Sequence, residues 1–373
     1  MKQFVYADNA ATTKLERNAF EAMVPWLTDE FGNASQLYSF SRKPKQALSE
    51  ARETIAKCIN ALPEEIYFTS GGTESDNWAI KGTAFSNAEK QQIITSAIEH
   101  HAVLRACDFI DRLGYPVVYL KPNNYGVIAP SCLEKTITHR TQLVSIMFSN
   151  NEIGTIEPIK ELAKIAHDHG TLFHTDAVQA VGHAKIDVRD LNVDMLSASA
   201  HKFNGPKGIG FLFIRKGLSL APLNNGGSQE NGLRAGTENI AGIVGMATAL
   251  QINNARINDN KQHILKLEKI LLSELSGLDF IKNGSDNRLH GNLSLSFKGC
   301  DGEAILHRLD LMGICVSTGS ACDSVHSQVS HVLRAIKLDD SYAKGTIRIS
   351  LGKDNTEEEM YIIANALRKI IKL

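Results

Sequence analysis

No two of the six cysteines, at positions 58, 107, 132, 300, 315 and 322, are spaced as a Cys-x-x-Cys pair, so neither a zinc-ribbon pattern nor a dithiol redox motif is present. In a chain of this length they read as reduced thiols and not as a disulfide framework. An apolar run long enough to cross a bilayer is missing, and the start, Met1-Lys-Gln-Phe-Val-Tyr6, lacks a signal-peptide core, so a cytoplasmic protein without a membrane partner is expected. Neither Gly-x-Gly-x-x-Gly nor a Walker pattern occurs, which weakens a nucleotide-binding reading. An excess of one charge is also lacking. Lys and Arg total 40 against 41 Asp and Glu, which supplies no whole-molecule field for nucleic acid. There is no internal repeat and no low-complexity tract. His100-His101 and the trio His167, His169 and His174 stand without a Cys or carboxylate pattern of ligand spacing, so no metal site is expected.

What is present is 373 residues, 43% of them hydrophobic, enough for a large core and two domains. Strand, turn and helix patterns alternate over most of the length. Glu65-Ile-Tyr-Phe-Thr-Ser-Gly-Gly-Thr-Glu74 reads as strand, glycine turn and helix start, with Thr73 as candidate N-cap and Gly72 allowing close backbone approach. Gln91–Arg105 repeats that order. Gln142–Phe148 reads as a buried strand that delivers Asn151 beyond its carboxyl end, where open α/β sheets bind ligands. Pro158 near a helix start and the stripe Ile159, Leu162, Ala163 and Ala166 mark an amphipathic core helix. From residue 252 the pattern changes to a compact α+β unit that ends in a helix of about Glu357–Ile371, opened by a Thr356/Glu359 capping box.

The chemistry concentrates in two stretches. Asp194-Met-Leu-Ser-Ala-Ser-Ala-His-Lys-Phe-Asn-Gly-Pro-Lys-Gly-Ile-Gly210 places Ser199, His201 and Lys202 just after a strand and before a glycine-rich turn. A lysine there can form a Schiff base with an aldehyde cofactor; taken alone it reads as a surface lysine in a βα loop. Thr171-Leu-Phe-His-Thr-Asp176 delivers Asp176 to a strand end with Gln179 three positions on, where a carboxylate can pair with a protonated pyridine nitrogen or simply cap a helix. Further along, Cys322 sits among small polar residues in Ser317-Thr-Gly-Ser-Ala-Cys-Asp-Ser-Val-His326, unlike a buried structural cysteine. Arg348 lies on a strand between Ile347 and Ile349, which face the other way, and its guanidinium fork suits a carboxylate.

With these motifs the chain resembles the cysteine desulfurases, the NifS/IscS-like group of fold-type-I pyridoxal-phosphate (PLP) enzymes in the class V aminotransferase family, from Ala7-Asp-Asn-Ala-Ala-Thr-Thr13 to Ile347-Arg-Ile-Ser-Leu-Gly352. The resemblance implies an α/β fold with a large PLP-binding domain (14–252) around a mostly parallel sheet, and a smaller α+β domain (1–13 and 253–373) that carries the nucleophile loop and the substrate arginine. It implies that Lys202 carries PLP as a Schiff base and that Asp176 meets the ring nitrogen. Gln179 would meet the phenolic oxygen and His100 would stack on the ring. Gly72, Thr73, Ser199 and His201, with Thr237 from the other subunit of a homodimer, would hold the phosphate. Asn151 and Arg348 would hold the substrate carboxylate, and Cys322 would take the sulfur of L-cysteine as a persulfide for an iron–sulfur scaffold or a tRNA-thiolation enzyme. Selenocysteine lyase, an aminotransferase of the same fold and a catalytically silent sulfur-carrier partner are the alternatives. The chain departs from the family pattern at Ala34, Tyr38 and Ser41, and at Thr318 and Asp323. A carboxylate at Asp323 would raise the Cys322 thiol by like charge.

Overall fold

The computed structural model describes residues 4–86, 91–318 and 329–371. The chain opens on a short strand, β1 (Val5–Tyr6), continues as an arm and enters α1 (Arg17–Thr28) and α2 (Arg42–Cys58). Ala47, Ala51, Ile55 and Ala56 on one side of α2 are buried, as small and apolar residues one turn apart should be.

Strands and helices then alternate: β2 (Ile66–Thr69), α3 (Gly72–Ala84), β3 (Gln92–Ser96), α4 (His101–Arg112), β4 (Val117–Leu120), α5 (Pro130–Thr136), β5 (Thr141–Ser145), α6 (Ile159–Asp168), β6 (Leu172–Asp176), the single turn α7 (Val188–Leu191), β7 (Met195–Ser199) and β8 (Gly210–Ile214). They build a seven-stranded sheet in the order β2-β8-β7-β6-β5-β3-β4. β8 runs antiparallel to β7 and β2, and the remaining neighbours are parallel. The loop from β7 to β8 is too short for a crossover, so that pair must be antiparallel, whereas the parallel pairs are joined through helices. Helices cover the sheet, and every residue of β5, β7 and β8 is buried.

The expected strand to Phe148 leaves regular pairing after Ser145. Ile146 and Phe148 stay beside β6 by donating N–H bonds to the His174 and Asp176 carbonyls (3.1 and 2.8 Å). Pro158 is the cap of α6 and not its first helical residue.

α8 (Ile240–Ala255) and α9 (Ile257–Glu274) follow, separated by Arg256 alone. Ile243, Met246, Ala247 and Leu250 of α8 join the core of the seven-stranded sheet. Ile264, Leu267 and Leu271 of α9 join a second core, which also contains Val5 and Ala7. The expected boundary at 252 therefore falls in the last turn of α8. The remaining elements are β9 (Phe280–Lys282), β10 (Asn292–Phe297), α10 (Gly302–Leu311), β11 (Ile314–Cys315), α11 (His331–Ala335), α12 (Asp340–Ala343), β12 (Thr346–Ser350) and α13 (Glu357–Ile371). β12, β10 and β9 form an antiparallel sheet in that order, and β1 pairs in parallel with β11. The arm lies along β12, with Asp8 bridged to Ser350. At the start of α13 the Glu359 carboxylate accepts the Thr356 N–H (2.9 Å) and the Thr356 hydroxyl accepts the Glu359 N–H (3.3 Å), as the capping box predicts.

Candidate active site

One cavity of about 530 Å³ lies at the carboxyl ends of β5, β6 and β7, where the arm crosses the sheet. Gly72, Thr73, His100, Asn151, Asp176, Gln179, Ser199, His201, Lys202 and Arg348 all line it. Two candidates are not in that set. Cys322 lies outside the described residues. Thr237 is exposed in the glycine-rich loop, in a shallow concavity with Asn224, Gln229 and Gly236, away from the cavity of its own chain.

The turn between β2 and α3 is shaped for a ligand that approaches the backbone. Gly71, not Thr73, is the N-cap, and its φ of 148° is a conformation that side chains rarely allow. A Cβ on Gly72 would stand 2.5 Å from Val178 Cγ2. The first-turn N–H groups of α3 have no carbonyl one turn back, and the helix dipole adds partial positive charge, so this end of the cavity suits a phosphate. Ser199 and His201 face the same space from the end of β7. Burial and the neighbouring Lys202 hold His201 down to about 4, so it is a neutral donor or acceptor near neutral pH.

Lys202 follows a single turn after β7. Its ammonium donates to the carbonyls of Ala10 and Ala11 (2.5 and 2.9 Å), and Gln179 Nε2 donates to Ala10 O (3.1 Å). The arm is locked onto the lysine turn, because Thr13 N and Oγ1 both donate to His201 O (2.9 and 2.8 Å) and Thr13 Oγ1 accepts from Asn204 N (2.7 Å). Asp176 ends β6 and is buried, and its Oδ1 accepts the Val178 N–H (2.9 Å). Burial pushes its carboxyl up to about 6, partly opposed by that N–H and by Lys202. His100 caps α4 through Nδ1, which accepts the Ala102 N–H (3.1 Å). Burial first, then Lys202 and His101, hold it down to about 4.

Arg348 on β12 is 5% exposed. Its Nη1 donates to the backbone carbonyl of Asn151 (2.9 Å), and its Nη2 pairs with Asp8 Oδ1 (2.9 Å). Its buried Nε has no hydrogen-bond partner among the described residues. The guanidinium is thus fixed in place with a donor to spare.

Sequence reasoning missed the layer beneath. His174 is fully buried on β6. Its Nδ1 meets the Ser145 hydroxyl (2.8 Å) and its Nε2 the Ser197 hydroxyl (3.0 Å). Burial drives it down to about 3, so it is not the helix-end cation that its position after α6 suggests. Asp76 and Glu99 are also buried, and burial raises both well above the ordinary carboxylate range. The one signal for Asp76 was an acid one turn beyond Gly72 on a helix whose other inward residues are small or apolar. Among the described residues, no three His, Cys, Asp or Glu side chains converge as a metal site, and no helix is long and apolar enough to cross a membrane.

The backbone cup at the start of α3, the buried acid Asp176 and the Lys202 amine thus line one cavity. The aminotransferase class-V family model matches residues 5–362, and the chain belongs to that family. Within it, the chain is 49% identical over 376 residues to the cysteine desulfurase IscS of Dictyoglomus turgidum, covering all of this chain and 95% of that protein. It is 46% identical to the IscS of Methanosarcina thermophila, covering 99% and 92%. Among solved structures, a NifS-like protein superposes with a TM-score of 0.92 at 39% identity, covering 99% of both chains. SspA in complex with cysteine gives 0.84 at 38% identity, covering 94% of this chain and all of the other.

Proposed function

We propose that the protein is a PLP-dependent cysteine desulfurase that converts L-cysteine to L-alanine and keeps the sulfur as a persulfide on Cys322. The observation that carries this reading is the meeting of Lys202, Asp176 and Arg348, drawn from two sheets, around one cavity with a phosphate-shaped turn. Gly72, Thr73, Ser199 and His201 would hold the phosphate, Asp176 the ring nitrogen, Gln179 the phenolic oxygen and His100 the ring face. The residues fit the group: there is no room for a side chain at Gly72, and Asp176 is a buried acid suited to a cationic partner. When bound, PLP supplies an electron sink for the substrate's α-carbon.

The chain's own residues do the rest. The substrate carboxylate takes up Arg348, including the spare Nε donor, beside Asn151. The Lys202 amine moves the proton at Cα, and the neutral His100 imidazole is placed to exchange a proton beside it. The Cys322 thiolate attacks the substrate sulfur. The carbon–sulfur bond breaks, the sulfur–sulfur bond forms, and the carbon that lost sulfur takes up a proton as alanine leaves. The acceptor is a protein of iron–sulfur assembly or tRNA thiolation, in the cytoplasm. Two further residue groups favour a homodimer that shares its sites. Thr237 is displayed away from the cavity of its own chain, and α1 with the loop after it exposes Phe20, Leu27, Phe31, Leu37, Tyr38 and Phe40. The division into a large domain (14–252) and a small one (1–13 and 253–373) is supported by the separate main clusters around the two larger sheets, with a smaller cluster of Ile98 and Ile153 against Val332, Leu333 and Ile336 joining them.

The test is mass spectrometry of the purified protein after L-cysteine. A sulfur gained on Cys322 with stoichiometric alanine is expected. Alanine without that sulfur turns the reading toward a selenocysteine lyase, a keto acid in place of alanine toward an aminotransferase of the same fold, and neither product toward a silent sulfur-carrier partner.

A further inference from the structure

The floor of the cavity holds more acid than the reaction above uses. Asp76 sits on α3 one turn after Gly72, is 1% exposed and lines the same cavity as Asp176. Its Oδ1 has no hydrogen-bond partner among the described residues. The atom lies 3.8 Å from His174 Nε2, but that nitrogen already meets Ser197, and Ser145 takes the other ring nitrogen. Ser197, the partner of His174 Nε2, stands opposite Asp176 in the register of β6 and β7. A buried carboxylate oxygen with neither cation nor donor is costly, and a neutral acid in the same place costs much less.

Among the described residues, the groups packed around Asp76 supply no compensating charge. β6 contributes Asp176 and the neutral His174, β5 and β7 only the Ser145 and Ser197 hydroxyls, and the turn before α4 contributes Glu99. α4 itself brings the Cys107 thiol and β2 the Tyr67 phenol, both kept neutral by burial, while β8 packs with apolar residues. The charges acting on Asp76 from Asp176 and Glu99 are both negative, and both oppose its ionisation.

We propose that Asp76 is a positioning residue for Asp176: a carboxylic acid that keeps its proton beneath the ring-nitrogen end of the cavity, so that the pair carries a single negative charge, on Asp176, for a protonated ring nitrogen. The role of Asp76 is exerted on Asp176 and not on the reacting atoms. It fixes Asp176 through the Ser197–His174 layer and prevents a second charge from competing for the ring proton. The second half of this proposal rests on the PLP reading of the site; the first half does not.

Infrared difference spectra of the cofactor-free protein at neutral pH test the charge state. Wild type minus Asp76→Asn should show a protonated carboxylic C=O band, and an ionised carboxylate band in its place overturns the proposal. Equilibrium PLP uptake, followed by fluorescence from pH 5 to 8, tests the positioning. Asp76→Asn, a neutral mimic of the same shape, should keep the wild-type affinity and pH profile. Asp76→Ala should weaken uptake about tenfold, as expected for a lost buried polar partner, with the midpoint of the profile displaced. Equal loss in both variants, or no loss in either, overturns the positioning role. A wild-type protein that takes up no PLP sinks the reading of the site, and the infrared band still decides whether Asp76 holds its proton.

Discussion

Two buried acids in this molecule are housed in opposite ways. Glu268 on α9 is clasped by Arg288, with Nη1 and Nη2 at 2.9 and 2.8 Å from its two oxygens, and the Gly291 N–H adds a third bond at 2.5 Å. Arg288 is in turn tied to the Asn292 carbonyl (3.0 Å). Glu99, under the cavity, receives the Ser96 hydroxyl (2.6 Å) and the Met147 N–H (3.1 Å) on one oxygen and nothing among the described residues on the other. A fork-to-fork pair satisfies both partners and joins α9 to the turn before β10; it is a structural clasp. Acids left short of donors, gathered beneath a cavity, belong to a place where charge must arrive from outside.

Replacing Lys202 by Ala gives the largest contrast, because it takes the amine from the cavity and leaves the clasp untouched. Alanine formation from L-cysteine should fall by at least about 10²–10⁴, with circular dichroism unchanged; near-wild-type turnover would remove Lys202 from the reaction. Glu268→Gln should do the reverse. Leaving Arg288 as an uncompensated buried cation should cost about 3–5 kcal/mol in urea unfolding, while PLP uptake by the folded fraction stays as in wild type. If uptake fails while stability holds, the two regions are not separable as argued.

A finer test is Arg348→Lys. The lysine keeps the charge toward Asp8 but loses the fork, so KM for L-cysteine should rise about tenfold, equivalent to about 1.4 kcal/mol, with kcat changed much less. An equal fall in kcat would place Arg348 in the chemical step. The smallest effect concerns Glu157, another acid short of partners, whose Oε2 accepts the Ile128 N–H (2.8 Å). Burial pushes its carboxyl up to about 8 from an ordinary 4.5. The folded state therefore binds this proton more tightly than the unfolded chain. The stability it lends is fully present below pH 4.5 and is lost as pH rises through 8, at no more than about 1.4 kcal/mol per pH unit. Glu157→Gln should flatten the urea midpoint over that window; an unchanged slope would show that Glu157 ionises normally.

Much of this was legible in the chain. Alternating strand and helix patterns pointed to the mostly parallel sheet, and Glu357–Ile371 emerged with the boundaries and capping box expected. The residues above the cavity lie in local motifs, such as Ser199, His201 and Lys202 within four positions, and such motifs survive in a linear reading. The layer below does not. Ser145, His174 and Ser197 sit on three strands, and they meet only because β5, β6 and β7 pair in one register. Asp8 and Arg348 are 340 positions apart. No periodicity encodes such distances, and an acid on the inner side of α3 looks, in one dimension, like any polar residue on a helix.

The arm has one more consequence. Its carbonyls at Ala10 and Ala11 cradle the lysine, and its backbone is seated on the last strand of the protein, where the Ser350 N–H reaches Ala7 O (2.7 Å) and Ser350 O receives the Asn9 N–H (3.0 Å). One short segment thus bridges the three-stranded sheet and the lysine turn, so a substitution that loosens β12 at Ser350 should also be felt at Lys202.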